Sequence, residues 1–146
     1  MDVDRLRERR LPRLLEAIVV GGFTGTNVTL PFKQEIIPLL DAVDPEAAQT
    51  GAVNTVAIAP DGRTTGYNFD RRGWRHSFEE TFGRDAAHGA TVVLVGAGGA
   101  GHAVAFALMD LKVGLLVIHD RDVPRAEALA ADLAKSYDAS RCRVTA

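Results

Sequence analysis

The sequence predicts an α/β chain made of two incomplete halves, the second built around a parallel sheet. Three observations predict it. Residues 91–136 alternate strand, helix, strand and helix, the order of a parallel sheet with right-handed crossovers. A glycine-rich turn, Gly96-Ala97-Gly98-Gly99-Ala100-Gly101, stands at the first strand-to-helix junction of that run. Upstream, Pro60-Asp61-Gly62 joins two extended runs in a hairpin signal. The 146 residues are 47% apolar, enough for a packed core in one domain or two half-domains.

Composition excludes several classes. Lys and Arg number 17 against 19 Asp and Glu, a net charge of −2 with both signs spread along the chain. That offers no basic field for nucleic acid. A single cysteine, Cys142, rules out an internal disulfide framework and a Cys-rich zinc site. His76, His88, His102 and His119 show no metal spacing, so no metal is expected. The first residues, MDVDRLRERR, are charged, so no signal peptide is expected and the cytoplasm is the expected compartment. From Ala86 to Met109, 24 residues carry no Asp, Glu, Lys or Arg. Four glycines after a β-branched run break this stretch, so it reads as strand, turn and buried helix rather than a membrane span.

In order along the chain, residues 2–20 read as a helix with Leu11, Leu14, Leu15 and Ile18 at helical spacing, stopped by Gly21-Gly22. Phe23–Val28 is a short extended piece. Pro31 suits the first turn of a second helix running toward Leu40, in which Pro38 is awkward. Asp44-Pro45 caps a short helix over 45–50, which Gly51 ends. Ala52–Ala59 and Arg63–Tyr67 are the two strands of the hairpin. Asp70–Phe82 is a helix with Trp74, Phe78 and Phe82 at i, i+4 and i+8. Residues 83–89 are a polar connector and set the expected domain boundary, 1–83 and 84–146. Then come a strand at 91–95, a helix at about 99–111, a strand at 114–119, a helix at about 123–136 and a third strand opening at Arg143-Val144-Thr145. So short a parallel sheet is expected to be unstable alone, because an edge and a face stay unpaired.

Gly96–Gly101 matches G-x-G-x-x-G after a strand and before a helix, the context of a Rossmann-type dinucleotide fingerprint. Gly96 permits the tight turn, Gly98 lets the backbone approach a pyrophosphate, and Gly101 allows close helix–strand packing. The helix N-terminus then meets the phosphates, with Ala97, Gly99 and Ala100 completing the loop. Asp120 ends the next strand, 19 residues after Gly101. A carboxylate there accepts from the ribose 2′- and 3′-hydroxyls and repels a 2′-phosphate, which favours NAD over NADP. Arg121 pulls the other way, since a guanidinium can pair with a 2′-phosphate or stack on adenine. Asp122 reads equally as a second charge or as a helix N-cap.

The first half gathers polar residues beside structure breaks: Asn27, Thr29, Lys33, Asn54, Thr55, Asn68 and Asp70. Lys33 falls in the first turn of the expected helix, where the dipole disfavours a cation, so it is either functional or turned to solvent. Oxidising an alcohol with a nicotinamide requires a base for the hydroxyl proton; a lysine of lowered pKa serves, and a neighbouring carboxylate orients it. Lys33 and Asp70 are candidates for that pair, although spacing alone does not bring them together. A lone lysine is more often a solvated charge, and strand-end asparagines are more often turn formers.

Four segments resemble the shikimate dehydrogenase family, in its order. Gly25-Thr26-Asn27-Val28-Thr29-Leu30-Pro31-Phe32-Lys33 resembles its G-x-N-V-T-x-P-F-K segment. Gly51-Ala52-Val53-Asn54-Thr55 resembles G-A-x-N-T, Gly66-Tyr67-Asn68-Phe69-Asp70 resembles G-x-N-T-D, and Val95–Ala100 resembles the V/I-G-A-G-G-A loop. The resemblance implies a substrate-binding α/β domain followed by a Rossmann-type nucleotide domain, both incomplete here. It implies Lys33 as catalytic lysine, Asp70 as its carboxylate partner, and Thr29, Asn54, Lys33 and Asp70 as ligands of a cyclic polyol acid, shikimate or quinate.

Three departures qualify it. Phe69 stands where the family has threonine. Asp120-Arg121-Asp122 replaces the Asn-Arg-Thr of NADP-using members and resembles the NAD-using quinate/shikimate branch, which acts in catabolic oxidation. The Ser-x-Ser segment and the later strands of family members are missing. The expected function is an NAD-dependent quinate/shikimate dehydrogenase in truncated form, inactive by itself. An NADP-dependent biosynthetic shikimate dehydrogenase and a non-catalytic remnant or binding module are the alternatives.

Overall fold

A computed structural model describes residues 3–145, with side chains from residue 10 onward. Asp2, where the expected first helix begins, lies outside the described residues. The chain divides into two compact units, one up to Asn68 and one from Phe69 onward. The sequence places the boundary in the 83–89 connector. The division falls one helix earlier, because the helix at 69–82 packs on the second unit's first sheet-covering helix.

In the first unit, α1 (Val3–Val20) stops at Gly21-Gly22, where Gly21 N–H donates to Ala17 O at 2.9 Å. Leu15 is buried, and Leu11 and Ile18 pack with it at i−4 and i+3. Leu14, expected on the same face, is 57% exposed. It lies about 100° around the helix from Leu15, off the buried stripe. β1 (Gly25–Asn27), β2 (Ala42–Val43), β3 (Thr55–Ile58) and β4 (Thr64–Tyr67) form a four-stranded sheet in the order β1-β3-β4-β2. β3 pairs antiparallel with both β1 and β4, while β2 runs parallel to β4. The expected hairpin is present: Ala59 N–H donates to Arg63 O and Gly62 N–H to Ala59 O, both at 2.9 Å. Val56 and Ile58 alternate into the core beside Ile36, Ala47 and Val53. α2 (Pro45–Thr50) is capped by the Asp44 carboxylate, which accepts Glu46 N–H at 3.0 Å.

The helix expected from Pro31 to Leu40 does not form. Residues 30–36 are a run of turns, followed by a 3-10 turn at Ile37–Leu39. Pro38 has no N–H for a helical bond, and its ring opposes the carbonyl four residues back. The Lys33 carbonyl instead accepts Val53 N–H at 2.8 Å.

The second unit holds α3 (Phe69–Phe82), β5 (Thr91–Val95), α4 (Gly99–Asp110), β6 (Leu115–His119), α5 (Val123–Ala134) and β7 (Cys142–Thr145). The strands pair in parallel in the order β5-β6-β7, with Val95 opposite His119 and His119 opposite Thr145. The charge-free stretch at 86–109 therefore folds largely as strand, turn and helix. Among the described residues no helix is long and apolar enough to cross a membrane. α4 is buried on most sides, with Ala103, Ala105, Phe106, Ala107, Leu108 and Met109 all in the core. It packs on the sheet, α3 and α5 at once. On α3, Trp74 stacks on Phe78 at 5.3 Å and Phe78 meets Phe82 at 4.9 Å, as their spacing predicts. Leu116 and Ile118 face the helices and are fully buried, whereas Val93 and Val95 on the opposite sheet face are 62% and 76% exposed.

Burial predicts unequal costs for two leucines. Leu116→Ala should lower the unfolding free energy by about 2–5 kcal/mol, because a closely packed site collapses only partly. Leu14→Ala should stay within about 0.5 kcal/mol. Urea titrations of the two variants check this, and equal losses would contradict the packing.

Candidate functional site

The first unit brings two of its polar segments together through backbone bonds. Past the end of β1, Val28 N–H donates to Asn54 O at 2.8 Å, and Val53 N–H donates to Lys33 O at 2.8 Å. Asn54 N–H in turn donates to Tyr67 O at 2.9 Å. Thr29 and Lys33 are thereby tied to the Asn54 turn, and that turn to the end of β4. Thr55 Oγ1 donates to Asn54 Oδ1 at 3.0 Å and fixes the amide. Thr29 is exposed, while Lys33 and Asn54 are half-buried. Lys33 is not in the first turn of a helix, so the dipole argument for its placement does not hold.

Asn68 has a duty the sequence did not assign it. It is buried, and its Nδ2 donates to Ala52 O at 3.0 Å, holding the turn that presents Asn54. Its sequence signals were an amide beside a strand end and a place in the Gly66–Asp70 segment, and neither pointed to this hold. Asp70 is the second residue of α3 and half-buried. A carboxylate in a first helical turn is electrostatically favourable there.

In the second unit the glycine turn has the geometry that a dinucleotide cradle requires. Gly96 has φ +102°, a backbone conformation that side-chain-bearing residues rarely adopt, and its N–H donates to His119 O at 2.8 Å. A Cβ on Gly101 would collide with the Gly96 carbonyl oxygen. A Cβ on Gly98 would meet nothing within 4 Å. The closure at Gly101 serves the packing of helix on turn. The space at Gly98 lies outside the chain, at the N-cap of α4, where the first helical amides point. These residues fit a pyrophosphate.

Asp120 is fixed rather than free-standing. Its Oδ2 accepts Ala97 N–H at 2.7 Å and its Oδ1 accepts Asp122 N–H at 2.9 Å. The Ala97 amide first, then the Asp122 amide and the Arg125 and Arg121 charges, hold the carboxyl below the usual aspartate range. Asp120 thus latches the glycine turn to the end of β6. Arg121 beside it is exposed. Asp122 sits at the N-cap of α5 without a capping hydrogen bond and faces Arg125 at 3.7 Å. Among the described residues, no group of three or more His, Cys, Asp or Glu gathers as a metal site.

Two family models match the chain, "Shikimate dehydrogenase substrate binding domain" over residues 2–56 and "Shikimate / quinate 5-dehydrogenase" over residues 79–144. The chain belongs to the shikimate dehydrogenase family. Among family members, it is 51% identical over 127 residues to the quinate/shikimate dehydrogenase (NAD(+)) of Corynebacterium efficiens, covering 87% of this chain and 44% of that one. It is 52% identical over 124 residues to the shikimate dehydrogenase (NADP(+)) of Moorella thermoacetica, covering 85% and 41%. The solved quinate dehydrogenase from Corynebacterium glutamicum in complex with NAD matches with a TM-score of 0.85 at 44% identity, over 92% of this chain and 47% of that one. The chain spans less than half the length of these relatives. Thr29, Lys33, Asn54, the glycine turn and Asp120 lie inside the matched family stretches, and Asp70 lies between them.

The latch makes a pH prediction with a defined sign. A carboxyl whose folded pKa is depressed contributes stability above its unfolded pKa and loses it as pH falls through the folded value. The Ala97 amide proton resonance should therefore titrate with a midpoint below the ordinary aspartate range. Asp120→Asn should abolish that titration. An Ala97 amide indifferent to pH between about 2 and 5 would refute the latch.

Proposed function

We propose that the protein is an NAD-dependent quinate/shikimate dehydrogenase, acting at the C3 alcohol of the ring to give 3-dehydroquinate or 3-dehydroshikimate. The observation that carries this reading is Asp120, an ionised carboxylate fixed beside a dinucleotide turn, in a chain that has the family's lysine and carboxylate segments. Bound NAD supplies the hydride acceptor.

Lys33, as the free amine, takes the proton of the C3 hydroxyl as hydride leaves, and as ammonium returns it in reduction. Asp70 is the carboxylate partner in this chemistry and accepts from a substrate hydroxyl. Thr29 and Asn54 hold neighbouring ring hydroxyls. A polyol recognised by several fixed donors and acceptors is discriminated sharply, because an analogue lacking a hydroxyl leaves a site group unpaired. The backbone bonds joining residues 28–33, 53–54 and 67 support this by setting Thr29, Lys33 and Asn54 on one platform. The helix N-terminus and the space at Gly98 take the pyrophosphate. Each Asp120 oxygen keeps lone-pair capacity beyond its backbone bond, so the carboxylate can also accept from the ribose hydroxyls. Its charge opposes a 2′-phosphate.

The exposed Arg121 favours the second reading, an NADP-dependent shikimate dehydrogenase, and the Moorella relative is named for that cofactor. Turnover of quinate and of shikimate, each with NAD and with NADP, separates the two. The expected result is a kcat/KM at least about tenfold higher with NAD, a difference of roughly 1.4 kcal/mol in transition-state stabilisation. A preference for NADP would favour the biosynthetic reading. Dinucleotide binding without turnover would make the chain a binding module.

Lys33→Ala should lower kcat by about 10²–10⁴-fold, the usual contribution of a positioned acid–base group. The affinity for NAD, read by its own binding titration, should be unchanged. Full activity in that variant would remove Lys33 from the chemistry.

A further inference from the structure

The second unit contains a charge cluster, buried at Arg71 and half-buried at its partners, that the proposed chemistry does not use. Arg71, the residue after Asp70, is only 4% exposed. A buried guanidinium is costly unless fully paired. Its Nε donates to Asp110 Oδ2 at 2.9 Å and its Nη2 to Asp110 Oδ1 at 2.7 Å, a two-pronged fit of fork to carboxylate. Nη2 also donates to Tyr137 Oη at 3.0 Å, and Tyr137 Oη donates to Asp110 Oδ1 at 2.6 Å, closing a ring of three side chains. Arg75, one turn along α3, donates from Nη1 to Asp110 Oδ2 at 2.9 Å. The Arg71 guanidinium lies over the fully buried Phe106 ring, 5.1 Å from its centre.

Asp110 is the last residue of α4, where the helix dipole disfavours a carboxylate. Helix formation gives no reason for it, whereas two arginines from α3 do. Burial pushes the carboxyl up, and the Arg71 and Tyr137 hydrogen bonds outweigh it, so Asp110 stays ionised. The cluster fixes two consecutive turns of α3, which sets both the rotation of that helix and its height along α4. Asp70 follows, about 100° around α3 from Arg71. The other end of α4 carries the glycine turn. One rigid helix therefore holds the dinucleotide turn at its start and the anchor of Asp70's own helical turn at its end.

We infer that Arg71, Asp110 and Tyr137 are positioning residues for Asp70, fixing its carboxylate relative to the dinucleotide turn. The inference rests on the proposed role of Asp70 in holding the substrate hydroxyl.

The test is steady-state kinetics of the complete protein carrying Arg71→Lys or Tyr137→Phe, with NAD titrations on the same samples. Arg71→Lys keeps the charge and loses the fork. Tyr137→Phe removes one hydroxyl and leaves the ion pair, so it remains informative if Arg71→Lys does not fold. NAD-binding stoichiometry gives the folded fraction, and kcat is expressed per folded molecule.

The expected result for Arg71→Lys is a kcat lower by about ten- to a hundredfold, the scale of a displacement near 1 Å, with a raised KM for the polyol acid. The NAD dissociation constant should stay within about twofold, a shift too small to signal a damaged turn. Tyr137→Phe should move the same parameters in the same direction and less far. Variants that lose thermal stability but keep wild-type kcat and KM per folded molecule would overturn the proposal and leave the cluster a fold staple. A wild-type protein that turns over neither polyol acid would overturn it together with the reading it rests on, whereas an active wild type crippled by Asp70→Asn but not by Arg71→Lys or Tyr137→Phe would overturn the positioning alone.

Discussion

The register of β5 on β6 governs the second unit. Val95 lies opposite His119, so the residues that follow each strand, Gly96 and Asp120, emerge side by side. Gly96 N–H then reaches the His119 carbonyl, and Asp120 reaches the Ala97 amide. A shift of one residue would turn Leu116 and Ile118 away from α4 and α5 and expose the core. The apolar alternation of β6 therefore fixes, without any ligand, where a carboxylate stands relative to a helix N-terminus. Packing energy and site geometry are one constraint here, seen from two sides.

The second unit was legible because its signals are local. A β-branched run bounded by glycines gave β5 at its observed limits, and the glycine turn marked the start of α4. In the first unit the same reasoning misassigned 31–40. Pro31 reads locally as the first residue of a helix, but the Lys33 carbonyl is drawn to Val53 N–H across the unit, and the Gln34, Ile36 and Ile37 carbonyls close three-residue turns instead. β2 has only two residues, too few to show a period of two. Leu14 matched the helical spacing and still faces out, since periodicity defines a stripe and not its edges.

The site divides in the same way. Motif segments name Thr29, Lys33, Asn54, Asp70 and the glycine turn as candidates by residue type and order. What holds them within each unit is tertiary. The backbone bonds linking 28–33 to 53–54, the Asn68 hold on Ala52, and the ring formed by Arg71, Asp110 and Tyr137 connect residues with no local pattern between them. In sequence Asp110 reads as an unremarkable helix-end acid, and the dipole argues against it. The residue that breaks a local rule is the one carrying a long-range duty.

Cofactor choice, on the proposed reading, depends on how firmly a charge is held as well as on its sign. A surface aspartate can swing aside and let a nearby arginine take a 2′-phosphate. Asp120 cannot do so without giving up bonds to the Ala97 and Asp122 amides, and releasing Ala97 loosens the turn that receives the pyrophosphate. Neutralised as asparagine, the side chain keeps one acceptor oxygen, which can serve the Ala97 N–H or the Asp122 N–H but not both. The charge that opposes the phosphate and the acceptor that shapes the turn are the same atoms. Overall identity does not report on this, since relatives named for NAD and for NADP match the chain at 51% and 52%. On the proposed reading the decision rests with a few atoms at the ends of β5 and β6, and a change of preference would have to remove the charge while keeping an acceptor for the Ala97 N–H.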